Sequence, residues 1–318
     1  MSVLTFLRGV FMTSDDAIRA IGLTRYFGSK AVVRDLNFRL PRGVVVGFLG
    51  LNGAGKTTTI RMLMGFLAPT RGQSLVLGHD SQHLTADLRA RIGHTVEGHF
   101  LYRWMSVADC ERFGRETHPR WNADIFFNTV QRFGIEVSSR VGHLSRGQRA
   151  GVSLASTLSS YPELLILDDP ALGLDPVSRR ALNETILDFC ESGDRSVLMS
   201  SHLLDDVERV ADRIAVMVGG RLLVDTTMDR FCRSVSAWNV VTTEDPASTA
   251  MIPGLIHSRP RSDGWIITVA DPNAETEKAL LRLKASSVEP IDVSFDDAVL
   301  AYLSRERNRH SFLTGTAS

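Results

Sequence analysis

Hydrophobic positions between residues 16 and about 230 come in two kinds of run. Short, uninterrupted runs, such as residues 44–49 and 164–167, alternate with longer stretches whose apolar residues recur at helical spacing. Short apolar runs are typical of strands buried on both faces, and strands that alternate with helices are typical of a parallel sheet. The pattern predicts an α/β domain with a mainly parallel core sheet.

Two stretches depart from that alternation. Residues 91 to about 155 are richer in helical spacing, with turn and cap residues near Pro119, and they predict a helical subdomain. Apolar runs over 214–218 and 221–224 are separated by a pair of glycines and predict a hairpin.

A small α/β domain is predicted to follow. Ser294 and Asp297 are spaced as in a capping box and predict the start of a last helix. The other predicted elements are strands over 238–242 and 265–269, a helix over 274–284 and a strand at 291–293. The expected organisation is a flexible N-terminus (1–15), a main domain (16–232), the small domain (233–307) and a disordered tail (308–318).

Composition narrows the class of protein. The chain of 318 residues is 43% hydrophobic, enough for a large core, and its 36 Lys and Arg balance its 36 Asp and Glu. That balance gives no reason to expect nucleic acid as a partner.

Cys110, Cys190 and Cys232 form no pair pattern, which indicates a reducing compartment, the cytosol. No apolar run approaches the roughly 20 residues of a membrane-spanning helix. Residues 1–11 lack the cleavage site of a signal peptide, and Met12 is an alternative start.

Residues 50–57 read GLNGAGKT and fit the phosphate-binding pattern GxxxxGK[ST], between a predicted strand and a predicted helix. Glycines let backbone N–H groups point at phosphate oxygens, and the helix N-terminus adds partial positive charge. Lys56 is expected to hold the β- and γ-phosphates, and Thr57 to ligate Mg²⁺. The alternative is a glycine-rich turn without a ligand. The residues expected to contact the nucleotide here are Asn52, Gly53, Ala54, Gly55, Lys56, Thr57 and Thr58.

Asp168 follows the apolar run at 164–167 and is the matching acid for such a site. In nucleotide hydrolases an aspartate at this place orders Mg²⁺ through water. A lone aspartate after a strand is otherwise an ordinary turn residue. The two motifs together predict a nucleotide and Mg²⁺ as ligands.

Residues 144–148 read LSRGQ and resemble LSGGQ, the signature of ABC ATPases. The segments that begin at Asp168 (DDP), Gly173 (GLDP) and Ser200 (SSH) follow in the order of that family. The resemblance spans roughly residues 18–228. Within the family, the chain is similar to bacterial, exporter-type subunits that are encoded separately from their membrane component. It implies a P-loop NTPase fold of ABC type, with an antiparallel β subdomain beside the helical one.

The resemblance also implies an activity and partners. Such subunits bind and hydrolyse ATP with Mg²⁺ to power transport through an integral membrane subunit, on the cytoplasmic face of the inner membrane. They pair head to tail with a second copy or a homologous ATPase subunit. Ser145, Gly147 and Gln148 are then expected at the γ-phosphate of the partner's ATP, although Ser145 is also readable as an ordinary helix N-cap. Arg146 replaces the first glycine of the signature pair.

Further residues acquire roles from the resemblance. Phe27 looks like the aromatic residue that stacks on adenine, with Tyr26 as a rival. Asp175 resembles the acid of the loop that couples two paired ATP sites. His202 resembles the histidine that senses the γ-phosphate.

Two positions depart from the commonest pattern of the family. Glu97 stands where a glutamine usually contacts Mg²⁺ and the attacking water, and a carboxylate also ligates Mg²⁺. Asp169 stands where a glutamate usually orients or deprotonates that water, and it is shorter by one methylene. We expect ATP hydrolysis that is slow unless the backbone compensates. The alternative is that Asp169 is a structural acid paired with a neighbouring base, in a protein that uses ATP mainly as a switch.

Large apolar side chains cluster at residues 100–105, just after Glu97. The resemblance places here the groove that receives a short helix of the membrane subunit. Alternatively, Tyr102 and Trp104 fill the core of the helical subdomain. Two other functions stay open, a soluble ABC-type ATPase acting on ribosomes or DNA and a nucleotide-sensing regulator with little turnover. A single cassette without sustained heptads argues against the former.

Overall fold

The computed structural model describes residues 16–96, 98, 101–191, 193–242, 246 and 251–310, with side chains to residue 304. The predictions made for residues 1–15, Glu97 and 311–318 lie outside the described residues. The strands are β1 (Asp16–Phe27), β2 (Lys30–Pro41), β3 (Val45–Leu49), β4 (Arg71–Val76), β5 (His79–Asp80), β6 (Ile92–Thr95), β7 (Leu164–Asp168), β8 (Ser196–Ser201), β9 (Arg213–Val218), β10 (Arg221–Thr227), β11 (Val235–Val241), β12 (Leu255–Arg261), β13 (Gly264–Ala270) and β14 (Ser287–Ile291). The α-helices are α1 (Lys56–Leu63), α2 (Ala86–Arg89), α3 (Val107–Thr117), α4 (Ala123–Arg132), α5 (Arg146–Ser159), α6 (Pro176–Glu191), α7 (Leu204–Val210), α8 (Met228–Ser234), α9 (Ala274–Leu281) and α10 (Phe295–His310).

A sheet of order β10-β9-β3-β8-β7-β6 forms the centre of the main domain. Strands β9, β3, β8, β7 and β6 run parallel, and β10 closes the edge as an antiparallel hairpin with β9. Every residue of β3, β7 and β8 is buried, as expected for parallel strands that are covered on both faces. The predicted α/β fold with a mainly parallel core sheet is confirmed. Because parallel strands end on one edge, β3, β7 and β8 bring the predicted site segments together there.

A second sheet, of order β2-β1-β4-β5, is antiparallel. Its apolar face shares one core with α1 and the central strands, including Ile18, Leu36, Phe48 and Ile60. This sheet is the antiparallel β subdomain that the resemblance implied. Its first hairpin, β1–β2, turns directly after Phe27.

Helices α3, α4 and α5 pack around a core of their own that includes Val107, Phe126 and Val152. Ser106 and Asn122 cap the first two of these helices, as N-cap chemistry favours. The helical part begins later than the expected residue 91, because the segment that follows it forms β6, which pairs in parallel with β7 at the edge of the core sheet. A four-residue edge strand carries too little periodicity to stand out from the helical pattern around it.

The residues after α8 form an antiparallel sheet of order β12-β13-β11-β14, with α9 against one face around Val240, Ile267 and Leu280. Strand β12 was not predicted, and the last strand lies at Ser287–Ile291 instead of 291–293. Both are edge strands, and each carries polar residues and a proline where a buried strand would be apolar. Neither strand therefore shows the hydrophobic run by which strands are recognised.

The last helix, α10, packs back onto the main domain. The rings of Phe295 and Tyr302 lie 5.9 and 5.8 Å from the ring of Phe231, and other apolar residues of α10 belong to the same core as β9. The helix continues to His310, so it overlaps the first three residues, 308–310, of the predicted tail. Across the described ranges, no helix combines the length and apolar character that crossing a membrane requires.

Candidate functional site

The loop between β3 and α1 is shaped by glycines. Gly53 and Gly55 have φ angles of 82° and 108°, in the left-handed region that glycine adopts without steric cost. A Cβ on Gly55 would also lie 2.7 Å from the Val32 carbonyl oxygen and 2.8 Å from the Met217 methyl carbon. Helix α1 begins at Lys56, so its unpaired N–H groups lie beside the loop. This backbone forms a cradle for an anion such as a phosphate.

Lys56 is the buried cation of this loop. It is 5% exposed, and its ammonium donates to the Gly50 carbonyl at 2.7 Å and to the Leu51 carbonyl at 3.4 Å. Burial lowers the pKa of Lys56, while the carboxylates of Asp169 and Asp168 oppose that shift. An ammonium held by backbone carbonyls keeps charge with which to bind a phosphate.

Hydroxyl groups connect the loop to the end of β7. The Thr57 hydroxyl donates to Asp168 Oδ1 at 3.2 Å. Ser200, at the facing position of β8, donates to the same oxygen at 2.7 Å. Hydroxyl and carboxylate oxygens suit Mg²⁺, which binds proteins through few such groups together with waters and substrate phosphates. The Thr57–Asp168 pair therefore fits a magnesium site.

Asp169 and His202 meet beyond the ends of β7 and β8. His202 Nδ1 lies 2.8 Å from Asp169 Oδ1, and the Asp169 N–H donates to the Ser200 hydroxyl at 3.0 Å. Asp169 has a φ of 49°, in the left-handed region that aspartate tolerates better than most residues. Backbone held in this region is common at functional sites. The contact joins two predicted catalytic residues, and it equally matches the alternative of an acid paired with a base.

These elements surround an open cavity of about 320 Å³, a size typical of small-molecule sites. Ala54 is buried behind the loop, and its N–H donates to the Leu51 carbonyl at 3.0 Å. Sequence reasoning missed Val32 and Leu172, which are apolar and lie outside any motif. It named Ser200 only as the start of the SSH segment and missed its contact with Asp168, whose signal is their register in β8 and β7. The lining residues are Val32, Leu51, Asn52, Gly53, Gly55, Lys56, Thr57, Thr58, Asp169, Leu172 and His202.

Phe27 lies at the end of β1, outside the lining of the cavity. It is 48% exposed, and the guanidinium carbon of Arg25 lies 4.8 Å from the centroid of its ring. Tyr26, the rival for the same role, is 39% exposed, and its N–H donates to the Thr70 hydroxyl at 3.1 Å. Both aromatic rings are therefore at the surface of the β1–β2 hairpin.

The signature segment lies at the N-terminus of α5, outside the cavity lining. Ser145 caps the helix, because its hydroxyl accepts from the Gln148 N–H at 3.1 Å while Gln148 Oε1 accepts from the Ser145 N–H at 3.0 Å. Ser145 and Arg146 are exposed, whereas Gly147 is buried and a Cβ there would clash with the Ser178 hydroxyl. The predicted γ-phosphate contacts of this segment are thus not made to the cavity of the same chain.

Asp175 caps the start of α6. Its Oδ1 accepts from the N–H groups of Val177 and Ser178, each at 3.0 Å, and its Oδ2 accepts from the Ser178 hydroxyl at 2.7 Å. The hydrogen bond from the Ser178 side chain is the main cause that lowers the pKa of Asp175. A Cβ on Gly173 would lie 2.6 Å from Arg146 Nη1, so this loop and the signature segment pack against each other.

Tyr102 and Trp104 are exposed by 61% and 70%, with ring centroids 5.9 Å apart. The alternative that they fill the core of the helical subdomain is therefore wrong. Met105, at 8% exposure, fills that core instead. Phe100, which belongs to the same predicted cluster, lies outside the described residues.

Known proteins resemble this chain along its main domain. The family described as ABC transporter matches residues 33–172. The bacitracin transport ATP-binding protein BcrA of Bacillus licheniformis is 32% identical over 214 residues, which are 67% of this chain and 70% of that protein. The Nod factor export ATP-binding protein I of Bradyrhizobium diazoefficiens is 30% identical over 233 residues, which are 72% of this chain and 76% of that protein.

Solved structures agree with these relatives. A structure described as the ATP binding subunit of an ABC transporter covers 68% of this chain and 92% of its own length, with a TM-score of 0.62 and 27% identity. A dimeric ATP-binding cassette in a post-hydrolysis state, bound to ADP and Pi, shares the fold over 66% of this chain, with a TM-score of 0.59 and 17% identity. The chain belongs to the family of ABC transporter ATP-binding proteins.

Proposed function

We propose that this chain binds and hydrolyses ATP as the motor subunit of an ABC transporter, and that it powers export through a separate integral membrane subunit. The observation that carries the proposal is the convergence of Lys56, the Thr57–Asp168 pair and the Asp169–His202 pair around one open cavity. Family membership supports ATP as the ligand. The relative named for bacitracin transport supports a role in transport, and the relative named for Nod factor export supports the direction.

Binding of ATP begins at the cradle. The Lys56 ammonium exchanges part of its hydrogen bonding to loop carbonyls for oxygens of the β- and γ-phosphates. N–H groups of the loop and of α1 neutralise more of the phosphate charge, beside Asn52 and Thr58. Thr57 and Asp168 would hold Mg²⁺, which when bound would supply positive charge to neutralise the phosphates.

Asp169 orients the attacking water in this proposal. His202 holds one carboxylate oxygen, which leaves the other within reach of a water in the cavity. The carboxylate accepts a proton from that water as its oxygen bonds to the γ-phosphorus, and the bond from this phosphorus to the oxygen of ADP breaks. The products are ADP and phosphate. The hydrogen bond from the Asp169 N–H to the Ser200 hydroxyl holds the backbone at Asp169. From this position the aspartate side chain, which is shorter than glutamate, must reach the attacking water.

The exposed signature segment supports pairing with a second copy or with a homologous subunit. Ser145 and Arg146 stand at a helix N-terminus, where partial positive charge favours an anion, yet they lie outside the chain's own cavity. A second chain would bring its ATP to this surface and receive the same contact in return. A protein of the same fold forms a dimer with ADP and Pi bound. Dimer closure on ATP is the movement that we propose is passed to the membrane subunit.

The exposed pair Tyr102 and Trp104 supports docking to that membrane subunit on the cytoplasmic face of the inner membrane. Large apolar side chains grouped at a surface mark interaction sites. Trp104→Ala is expected to abolish co-purification with a membrane subunit while leaving ATP binding unchanged. Phe113→Ala is the matched control, because it removes another exposed ring, 51% accessible, from α3. Unchanged co-purification of the Trp104→Ala variant would overturn this docking surface.

The function itself is tested by purifying the tagged chain from its native cells and measuring Mg²⁺-dependent ATP hydrolysis in the recovered complex. Recovery with a multi-spanning membrane protein and hydrolysis lost on chelation of Mg²⁺ are the expected results. Recovery with ribosomes or DNA would contradict the transport role. Binding of ATP without measurable turnover would favour a nucleotide-sensing regulator.

A further inference from the structure

Arg25 covers one side of an exposed aromatic ring. Its guanidinium carbon lies 4.8 Å from the centroid of the Phe27 ring, and Phe27 is 48% exposed. The end of the side chain is anchored, because Nη1 donates to the Ala68 carbonyl at 2.9 Å. Arg25 therefore connects the ring to the loop that follows α1.

The same loop is bound to β1 through its backbone. The Thr70 N–H donates to the Thr24 carbonyl at 2.8 Å, and the Tyr26 N–H donates to the Thr70 hydroxyl at 3.1 Å. Helix α1 runs from the phosphate cradle at Lys56 to this loop. The Phe27 ring is thus linked, through Arg25 and this loop, to the helix whose other end forms the cradle.

The guanidinium is incompletely satisfied by hydrogen bonds. Its Nε is buried and has no hydrogen-bond partner, which is uncommon for a buried donor. The negative face of the Phe27 ring compensates part of that cost, since a guanidinium over an aromatic face is attracted by the ring quadrupole. The contact between Arg25 and Phe27 is therefore a main interaction of this side chain.

We propose that Arg25 is a positioning residue for the base of ATP. The inference rests on the proposed function, with Phe27 as the ring on which adenine stacks. Arg25 holds that ring in place before the nucleotide arrives, which lowers the entropy cost of stacking. The cation also draws electron density from the ring and favours stacking of an electron-rich base on the opposite face. The contribution of Arg25 therefore depends on the presence of a base.

The test compares ATP with inorganic tripolyphosphate, both with Mg²⁺, by calorimetric titration of the full chain. Arg25→Ala is expected to weaken ATP binding about three- to tenfold and to leave tripolyphosphate binding within about twofold of wild type. Lys30→Ala is the matched control, because it removes the same charge from the same hairpin, at the position that pairs with Phe27 and not with Arg25. It is expected to leave both affinities unchanged. Arg25→Lys, which keeps a cation but loses the forked donor, is expected to fall between wild type and Arg25→Ala.

The outcomes separate the inference from the function on which it rests. Equal weakening of both ligands by Arg25→Ala would make Arg25 a structural residue of the hairpin and overturn the inference. ATP binding that is unchanged by Arg25→Ala, or weakened as much by Lys30→Ala, would overturn it as well. If wild-type chain binds neither ligand, the proposed function fails before Arg25 is in question.

Discussion

The phosphate cradle and the signature segment both lie at the N-terminus of a helix, but they differ in how many of the groups needed to bind a nucleotide stand beside them in the same chain. In the cradle, Lys56 is buried and acids from β7 stand beside it. In the signature segment, Ser145 and Arg146 are exposed, and the hydrogen bonds between Ser145 and Gln148 cap α5. The cradle brings its groups together within one chain, whereas the signature, in the proposed function, would be one half of a site that another chain completes.

The largest expected effect tests whether the cradle is complete by itself. Lys56→Ala should weaken ATP binding by a single chain about 100-fold or more, because a buried charge-assisted hydrogen bond to phosphate is lost. Calorimetric titration with Mg·ATP measures it. Arg61→Ala, which removes an exposed cation from the same helix, should stay within about twofold of wild type. A Lys56→Ala affinity within about tenfold of wild type would mean that the cradle does not carry the binding.

Hydrolysis is the next effect in size. Asp169→Asn should slow ATP cleavage about 100-fold or more while ATP still binds, since the amide cannot accept the proton of the water. The cleavage rate of Asp169→Glu should stay within about tenfold of wild type, because this variant keeps the carboxylate. Some loss is expected since glutamate is less favourable than aspartate at a positive φ. Single-turnover cleavage by the three proteins provides the measurement. Equal rates would remove Asp169 from catalysis and favour ATP as a switch.

A matched pair of serines tests whether the signature is more than a cap. Ser145 and Ser106 each cap a helix with a capping box, so each change to alanine should cost about 1 kcal/mol of stability. Only Ser145→Ala should also reduce ATP-dependent dimerisation and hydrolysis, by about tenfold, because only this hydroxyl is proposed to meet the ATP of a partner. Light scattering with ATP, together with turnover rates, decides between these outcomes. Equal behaviour of the two variants would leave Ser145 as a cap alone.

The smallest effect concerns an ion pair at the start of β6 and β7, the end of these strands away from the cradle. Changing this pair should affect neither the cradle nor the signature segment. Arg91 Nε and Nη2 each donate to a different oxygen of Glu163 at 2.6 Å, and this hydrogen bonding lowers the pKa of Glu163. A lowered folded pKa means that the pair stabilises the protein above the unfolded pKa and loses that contribution as pH falls through the folded one. Glu163→Gln should therefore cost no more than about 1 kcal/mol at pH 7, because water screens the pair. The cost should vanish on acidification, as chemical denaturation at several pH values would show, and ATP affinity should not change.

Prediction from sequence succeeded where one short segment determines both backbone and chemistry. Residues 50–57 carry their own glycines, lysine and threonine, so the loop was recognisable before its fold was known. The contact of Ser200 with Asp168 was missed because it exists only through the pairing of β7 with β8, which sets the two residues opposite each other. The exposure of Trp104 could not be derived either, because an aromatic side chain has the same local signature whether a core or a partner will cover it.

Because α10 is the last helix in the described part of the chain, the core of the main domain can close only late in synthesis on the ribosome. The core sheet, the cradle and the signature segment are all synthesised before α10, yet Phe295 and Tyr302 of that helix close the core around Phe231. Until α10 emerges, the nascent chain presents an uncovered apolar face, which is the kind of surface that chaperones bind. A premature stop after β14 would thus release a chain with every nucleotide motif intact and an open core, prone to aggregate before it meets ATP.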